Sequence, residues 1–166
     1  MIFVIEGPDG TGKSTLAQAI AKATNGEPIH CSFNKHWNMK EYHHAKLNHA
    51  RDLDAKGITP IFDRFAASER VYGDVFRTGE SYDTDSLVYY INEVYQIKWI
   101  YCRNDNAIEN HKKHMGERYE MYDDMTEIAK GFEKYVKQHK DLGWYVFDYD
   151  KVDTATFIKQ LLKGGE

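Results

Sequence analysis

Residues 1–15 read MIFVIEGPDGTGKST, and residues 7–14 of this segment fit the phosphate-loop pattern G-x-x-x-x-G-K-[ST]. The apolar residues 1–5 before the loop are typical of a short buried strand. After the loop, Leu16, Ile20 and Ala23 recur at the spacing of one helix face. Strand, glycine-rich loop and helix in this order form the context in which the pattern binds phosphate, so the segment predicts both a local fold and a site.

The loop is expected to bind its anion mainly through the backbone. Glycines let backbone N–H groups point inward, and the N-terminus of the following helix adds a partial positive charge. We expect Lys13 to bridge β- and γ-phosphates and the Ser14 hydroxyl to bind Mg²⁺. The residues predicted to bind the phosphates of a nucleoside triphosphate are Gly7, Asp9, Gly10, Thr11, Gly12, Lys13, Ser14 and Thr15.

Length and composition limit the remaining possibilities. With 166 residues, 42% of them hydrophobic, the chain is long enough for one domain with a single core, and we assign residues 1–166 to it. A net charge of −4 without a run of like charge argues against a dedicated nucleic-acid binder. The apolar start is too short for a signal peptide and no stretch is long enough to span a membrane, so we expect a cytoplasmic protein without a membrane partner.

Strand-like and helix-like segments alternate along the chain. Strands are predicted at residues 1–5, 28–33, 59–62, 97–102 and 144–147. Helices are predicted after the loop, ending at Gly26 as a left-handed cap, and at residues 38–56, 66–76, 83–95, 125–140 and 153–162. The alternation predicts an α/β fold with a five-stranded parallel sheet covered by helices on both faces.

Ligands of such sheets bind at the carboxyl ends of the strands, where the loops meet. Asp63 and Arg64 follow the third predicted strand and should therefore share one cleft with the phosphate loop. A carboxylate at this position can hold Mg²⁺ directly or through water, and the guanidinium can bind a phosphate with two hydrogen bonds.

Other uses of a phosphate loop fit the sequence less well. A GTPase switch needs Asn-Lys-x-Asp, but the Asn34-Lys35 pair is followed by His36-Trp37. Such a switch also needs Asp-x-x-Gly after the third strand, where this chain has DRFA at residues 63–66. Motor modules are usually longer. A small kinase is the interpretation that remains best supported.

Two segments resemble the thymidylate kinases: IEGPDGTGKST at residues 5–15 and DRFAASERVY at residues 63–72. The order and spacing of elements are similar over nearly the whole chain. The resemblance implies a three-layer αβα P-loop kinase fold with a short lid, and transfer of the γ-phosphoryl group of ATP to a deoxynucleoside monophosphate. It also implies that Asp9 contacts the acceptor sugar, that Arg64 holds the acceptor phosphate, and that Ser68 and Tyr72 line the base pocket.

Thymidylate kinases place a basic catalytic residue either in the phosphate loop or in a lid after the fourth strand. Gly10 occupies the loop position here, so the resemblance implies dependence on a lid at about residues 111–124, with Gly116 as a hinge. Arg118 is the first candidate for reaching the transferred group and Lys113 is the second. A solvated helix end would explain these charges equally well.

The sequence departs from that family at the base. Thymidylate kinases stack thymine on a Phe and bind it with an Arg four residues later. Phe33 or Trp37 can stack on a base here, but the residue four after Trp37 is Glu41. A carboxylate accepts from an exocyclic amino group, so our hypothesis is an amino-bearing or modified base instead of plain thymine.

Two alternatives of other kinds stay open. A kinase that phosphorylates a hydroxyl, on a nucleoside or on a modified base in DNA, would need a carboxylate base, for which Glu41, Asp9 or Asp63 are candidates. The other alternative is a nucleotide-binding regulatory module without turnover. The resembled family commonly forms dimers through helices, and Tyr89, Tyr90 and Tyr95 mark a candidate homodimer face.

Overall fold

The computed structural model describes residues 1–77, 81–115 and 122–163, and within them five strands form one sheet. The strands are β1 Ile2–Glu6, β2 Gly26–His30, β3 Thr59–Asp63, β4 Ile97–Cys102 and β5 Tyr145–Phe147. They are all parallel and run in the order β2-β3-β1-β4-β5. The predicted α/β class with a five-stranded parallel sheet is confirmed.

Helices cover both faces of this sheet. They are α1 Lys13–Thr24, α2 Met39–Ala55, α3 Ala66–Phe76, α4 Thr84–Val94, α5 Ala107–Met115, α6 Tyr122–Gln138 and α7 Thr154–Lys163. In the described ranges, no helix is both long and apolar enough to cross a membrane.

Alternation along β1 divides the core into two layers. Phe3 and Ile5 face a cluster that includes Leu16 of α1 and Leu161 of α7. Ile2 and Val4 face the opposite cluster, which contains residues of α2, α3 and α4. Because successive strand residues point to opposite faces and every residue of β1 is buried, β1 is the centre of a three-layer αβα fold.

The beginning of β2 differs from the prediction. Asn25, not Gly26, takes the left-handed conformation, with φ at +52°, and its N–H donates to Ala21 O to end α1. Gly26 instead starts the strand and pairs with Thr59, so β2 lies at residues 26–30 and not 28–33. A side chain at Gly26 would place its Cβ 2.8 Å from Thr59 O, which explains the glycine by close packing.

Two further details of the helices correct the sequence analysis. Ala23 is exposed, and Ala17 fills the buried position beside Leu16 and Ile20. The stretch after β4, which has no clear periodicity in sequence, contains the nine-residue helix α5. Asp83 caps the N-terminus of α4, because its side chain accepts from Ser86 N at 3.1 Å.

The strand order decides where the site lies. From β1 the chain passes outward to β2, returns to β3 beside β1, and then crosses to β4 on the other side of β1. The carboxyl end of β1 is therefore the point at which the winding direction of the sheet reverses, and this is where open α/β sheets bind ligands.

Candidate active site

The phosphate loop is closed on itself and on the start of α1. Leu16 N donates to Gly12 O at 2.9 Å, and the Thr11 hydroxyl donates to Pro8 O at 2.7 Å. The ammonium group of Lys13 also donates to Pro8 O at 2.7 Å and is nearly fully buried. Burial, together with the positive charge of Arg64, lowers the pKa of Lys13, although Asp9 acts in the opposite direction.

Gly10 marks the place where α5 lies against this loop. Its φ is +81°, and a Cβ there would meet the backbone oxygen of Ala107 at 2.2 Å. Tyr149, in the loop after β5, contacts the same point, with its hydroxyl 3.3 Å from Gly10 O, and Asn110 of α5 donates to that hydroxyl. The loop position that carries a basic residue in some thymidylate kinases thus has no room for a side chain in this chain.

Ser14 and Asp63 meet beside the loop. The Ser14 hydroxyl donates to Asp63 Oδ2 at 2.6 Å, and His30 Nδ1 lies 3.2 Å from the same oxygen. The other oxygen, Oδ1, is buried without a hydrogen-bond partner in the described part of the chain. Hydroxyl and carboxylate oxygens are the donors that Mg²⁺ prefers, so this pair fits a magnesium ion and an unpaired buried oxygen is available to it.

Arg64 occupies a backbone conformation that is rare for its type. Its φ is +69°, in the left-handed region that costs a non-glycine residue about 1–2 kcal/mol. This conformation directs the guanidinium across to the phosphate loop, where it forms an ion pair with Asp9. Arg64 Nε is buried and, among the described residues, lacks an acceptor.

The neighbouring positive charges lower the pKa of Asp9. Burial raises the pKa of Asp9, but the positive charges of Arg64 and Lys13 outweigh it and hold the pKa below its usual value. The carboxylate of Asp9 is therefore ionised at neutral pH and lies between two cations that belong to different elements.

Glu6, at the end of β1, fixes the start of α3 behind Arg64. Its fully buried carboxyl accepts from Phe65 N at 3.0 Å, from Ala67 N at 3.1 Å, and from both the backbone N–H and the hydroxyl of Ser68. Burial raises the pKa of Glu6 to about 7, although these hydrogen bonds act in the opposite direction. The Ser68 hydroxyl is engaged by Glu6, even though Ser68 lies in the cavity wall.

A cavity of about 300 Å³ opens next to Arg64. Its walls include the aromatic side chains of Phe33, Phe65, Tyr72 and Phe76. The polar and charged groups in the wall are Ser32, His43, Arg64, Ser68, Glu69 and Arg77. The predicted acceptor residues Phe33, Arg64, Ser68 and Tyr72 thus share one cavity.

Trp37 and Glu41 lie elsewhere. Trp37 stacks on Tyr42 with ring centroids 5.0 Å apart and lines a neighbouring cavity. Glu41 is exposed on α2, where its backbone N–H donates to the Asn38 side chain that caps the helix. Thr15 is exposed on the first turn of α1.

The candidate lid residues have different positions. Arg118 and Gly116 lie outside the described residues. Lys113 is exposed on α5, whereas His111 of the same helix has Nε2 4.0 Å from Asp9 Oδ2. His111 was expected only as part of the candidate lid, and neither His111 nor His30 was assigned a role from the sequence. His30 could have been found from its position at the carboxyl end of the strand next to β3, but nothing in the spacing indicates His111.

Comparisons with known proteins agree with this architecture. The sequence model of the ATPase family associated with various cellular activities (AAA) matches residues 3–128. No curated protein sequence matches this chain.

Several solved structures share the fold. The YorR protein from Bacillus subtilis, solved in complex with phosphorylated GDP, is 23% identical, with 98% of this chain and 94% of that chain covered and a TM-score of 0.73. The deoxyadenosine kinase from M. mycoides is 22% identical over 99% of this chain and 98% of that chain, with a TM-score of 0.63. The thymidylate kinase from Candida albicans is 14% identical over 98% of this chain and 89% of that chain, with a TM-score of 0.61.

At these identities the likeness concerns the fold, and at that level the predicted resemblance to a thymidylate kinase-like P-loop kinase is confirmed. The family match covers β1, the phosphate loop, β3 and β4, which carry the site described above. The chain therefore belongs to the AAA family, the ATPases associated with various cellular activities, and has the fold of the small nucleoside and nucleotide kinases.

Proposed function

We propose that this protein transfers the γ-phosphoryl group of ATP to a nucleoside monophosphate. The proposal rests on the position of Arg64. Its backbone takes the left-handed conformation, and its guanidinium therefore faces the phosphate loop. A second cation opposite the first phosphate site is what a reaction between two phosphates needs, because catalysis of phosphoryl transfer is mostly positioning and charge stabilisation.

The donor side is assigned to the phosphate loop. Membership in a family of ATPases supports ATP as the donor. Lys13 is expected to exchange its hydrogen bond with Pro8 O for the β- and γ-phosphate oxygens, since a charged acceptor forms the stronger bond. Ser14 and Asp63 would hold Mg²⁺, which neutralises phosphate charge when bound.

The acceptor side is assigned to Arg64 and the cavity beside it. The acceptor phosphate would bind Arg64, including the buried Nε, and the base would enter the aromatic cavity. An acceptor phosphate oxygen attacks the γ-phosphorus, the bond from that phosphorus to the bridging oxygen breaks, and ADP leaves with the electron pair. No general base is required, because the attacking oxygen is already ionised.

Solved structures of the same fold support phosphoryl transfer in general. Thymidylate kinase is named for a nucleoside monophosphate acceptor, which favours the proposal. Deoxyadenosine kinase is named for a nucleoside acceptor, so it supports a kinase but not this choice of acceptor. Lys113 and Arg118 remain the candidates for the transferred group, and His111 joins them because of its position near Asp9.

The hydroxyl-kinase alternative is less well supported. It needs a free carboxylate beside the acceptor, and none of the three candidates from the sequence fits that role well. Asp63 is engaged by Ser14, Asp9 is paired with Arg64, and Glu41 is exposed on α2. A regulatory module without turnover would not need the second cation.

We retain the homodimer as a prediction, with Tyr89 and Tyr90 exposed on α4, and do not expect nucleic acid as a partner.

The test is to mix the purified protein with Mg·ATP and separate pools of nucleosides, nucleoside monophosphates and DNA, and to identify phosphorylated products by mass spectrometry. Products from monophosphates are expected, and Lys13→Ala should abolish them. Phosphorylated nucleosides or DNA as the main product would overturn the proposal, as would a lack of product from every pool.

A further inference from the structure

The acceptor cavity contains a charge pair that the phosphate chemistry does not use. Glu69 of α3 is only 3% exposed at its side chain, and Arg77 Nη1 donates to Glu69 Oε1 at 2.7 Å. Arg77 Nη2 also donates to the backbone oxygen of Glu69 at 3.2 Å. A buried charge is costly unless it is paired, so the pair explains how a carboxylate is tolerated in this wall.

Arg77 is itself fixed by an aromatic contact. Its guanidinium carbon lies 4.0 Å from the centroid of the Phe33 ring, which is the distance of a cation–π contact. Phe33 and Phe76 line the same cavity. The carboxylate of Glu69 is therefore anchored by a side chain that is held on two sides.

The anchored carboxylate retains capacity to accept hydrogen bonds. An ionised carboxyl group has about four acceptor positions, and within the described ranges Arg77 supplies the hydrogen bond that Glu69 receives. Glu69 lines the cavity, so a group that binds there can meet the remaining acceptor positions. Such a group must present N–H or O–H donors.

The neighbouring histidine does not change this charge balance. Burial lowers the pKa of His43 to about 4, so its imidazole is neutral at physiological pH. Its Nδ1 lies 2.6 Å from the Tyr82 hydroxyl. The base end of the cavity therefore combines aromatic walls with one anion, Glu69, and one cation, Arg77, whereas Arg64 lies at the phosphate end.

We propose that Glu69 selects an acceptor whose base carries an exocyclic amino group, as cytosine, adenine and guanine do. This inference rests on the proposed monophosphate kinase function and names its substrate class. The amino group donates to the Glu69 carboxylate, and a neighbouring ring nitrogen or carbonyl accepts from Arg77. Where a base presents a carbonyl instead of the amino group, two acceptors face each other, and the acceptor positions that Arg77 does not fill stay without a donor.

The test uses pairs of ligands that differ at a single group. dCMP and dUMP differ in the group at C4, and dAMP and dIMP differ in the group at C6. dGMP differs from dIMP by the amino group at C2. For at least one pair, the amino-bearing member is expected to have a kcat/KM about 10- to 100-fold higher, since a hydrogen bond to a charged group has this worth.

Variants then assign the preference to the residue. Glu69→Gln should collapse the preference within the pair, because an amide presents its own N–H donors to the base. The control is Glu93→Gln, on the exposed face of α4, which should keep the wild-type ratio. A ratio between two ligands does not depend on the folded fraction, so partial unfolding of Glu69→Gln cannot mimic the result.

Binding provides an independent measurement. The shift in melting temperature produced by each monophosphate, with a non-hydrolysable ATP analogue present, should follow the same order. Selective stabilisation by amino-bearing monophosphates without turnover would support this inference and overturn the proposed function. Turnover of dTMP or dUMP equal to that of every amino-bearing monophosphate would overturn the inference and leave the proposed function standing. An unchanged ratio in Glu69→Gln would also overturn it.

Discussion

The hydroxyl of Ser14 lies 2.6 Å from Asp63 Oδ2, although the two residues are 49 positions apart in the chain. The parallel pairing of β1 with β3 brings them together, with Ile5 opposite Asp63 in the register. The other oxygen, Asp63 Oδ1, is buried without a hydrogen-bond partner among the described residues. Together with the Ser14 hydroxyl it provides two oxygen ligands of the kind that a hard divalent cation prefers.

This relationship predicts how the rate depends on magnesium. Ser14→Ala should lower activity about 10- to 100-fold at a fixed Mg²⁺ concentration and should shift the Mg²⁺ titration to higher concentrations. Ser14→Thr keeps a hydroxyl and should restore most of the activity. Initial rates measured against Mg²⁺ concentration check this, and a wild-type titration curve for Ser14→Ala would contradict it.

The left-handed backbone of Arg64 predicts that two substitutions at this residue differ in stability. Arg64→Ala and Arg64→Gly both remove the ion pair with Asp9, but only glycine relieves the strain at φ +69°. The glycine variant should therefore be more stable than the alanine variant by about 1 kcal/mol, as measured by urea unfolding. If the alanine variant were equally stable, the backbone would carry no strain.

The same two variants test the acceptor site. Both should raise the KM for the monophosphate about 30-fold or more while the KM for ATP changes little, because a buried charged contact is worth at least 2 kcal/mol. Steady-state kinetics with each substrate varied in turn measure the effect. Unchanged acceptor kinetics would remove Arg64 from its assigned role.

The contact between Gly10 and α5 predicts an unusually large cost for a small substitution. Gly10→Ala places a methyl group 2.2 Å from Ala107 O, so the free energy of unfolding should fall by about 1–3 kcal/mol beyond the cost of the backbone conformation. Gly57→Ala is the matched control, because its φ is +74° and nothing lies within 4 Å of the new Cβ. Equal losses in the two variants would mean that α5 does not pack on the loop.

The buried carboxyl of Glu6 predicts a pH dependence of stability. Its pKa is raised from 4.5 to about 7, so between these values the folded protein retains a proton that the unfolded chain has released. The free energy of unfolding should therefore fall as pH rises from about 4.5 to about 7, by up to about 1.4 kcal/mol per pH unit from this group, and level off above it.

Two variants isolate this contribution. Glu6→Gln should lose the slope between pH 5 and 7 in urea unfolding, whatever its absolute stability. Glu93→Gln, which removes an exposed carboxyl of α4, should keep the slope. A slope in Glu6→Gln as steep as that of the wild type would show that other groups produce it.

Sequence patterns located the phosphate loop and the third-strand pair Asp63-Arg64 because each is a contiguous signal at the end of an apolar run. The predicted start of β2 was wrong because Asn25 takes the left-handed conformation that ends α1, which a glycine was expected to supply. The helix α5 was missed because its apolar positions are few, and its place in the fold comes from packing on Gly10.

The residues of the base cavity show the limit of sequence patterns more clearly. The resemblance to thymidylate kinases led us to expect an Arg four residues after a Phe. In the structure, Arg77 reaches Phe33 from the end of α3, and Glu69 anchors it from eight residues earlier on the same helix. No local spacing relates Phe33 to Arg77, because their contact depends on how α3 packs beside the loop after β2.

By itself, the sequence determined the parallel sheet, the anion-binding loop and the strand ends that surround it, since periodicity and glycine spacing act over a few neighbouring residues. The tertiary structure decided which charges meet: Ser14 with Asp63, Asp9 with Arg64, and Glu69 with Arg77. These pairs join different strands, loops and helix turns, and their geometry depends on strand register, on one left-handed residue and on side-chain packing, which no single stretch of sequence contains.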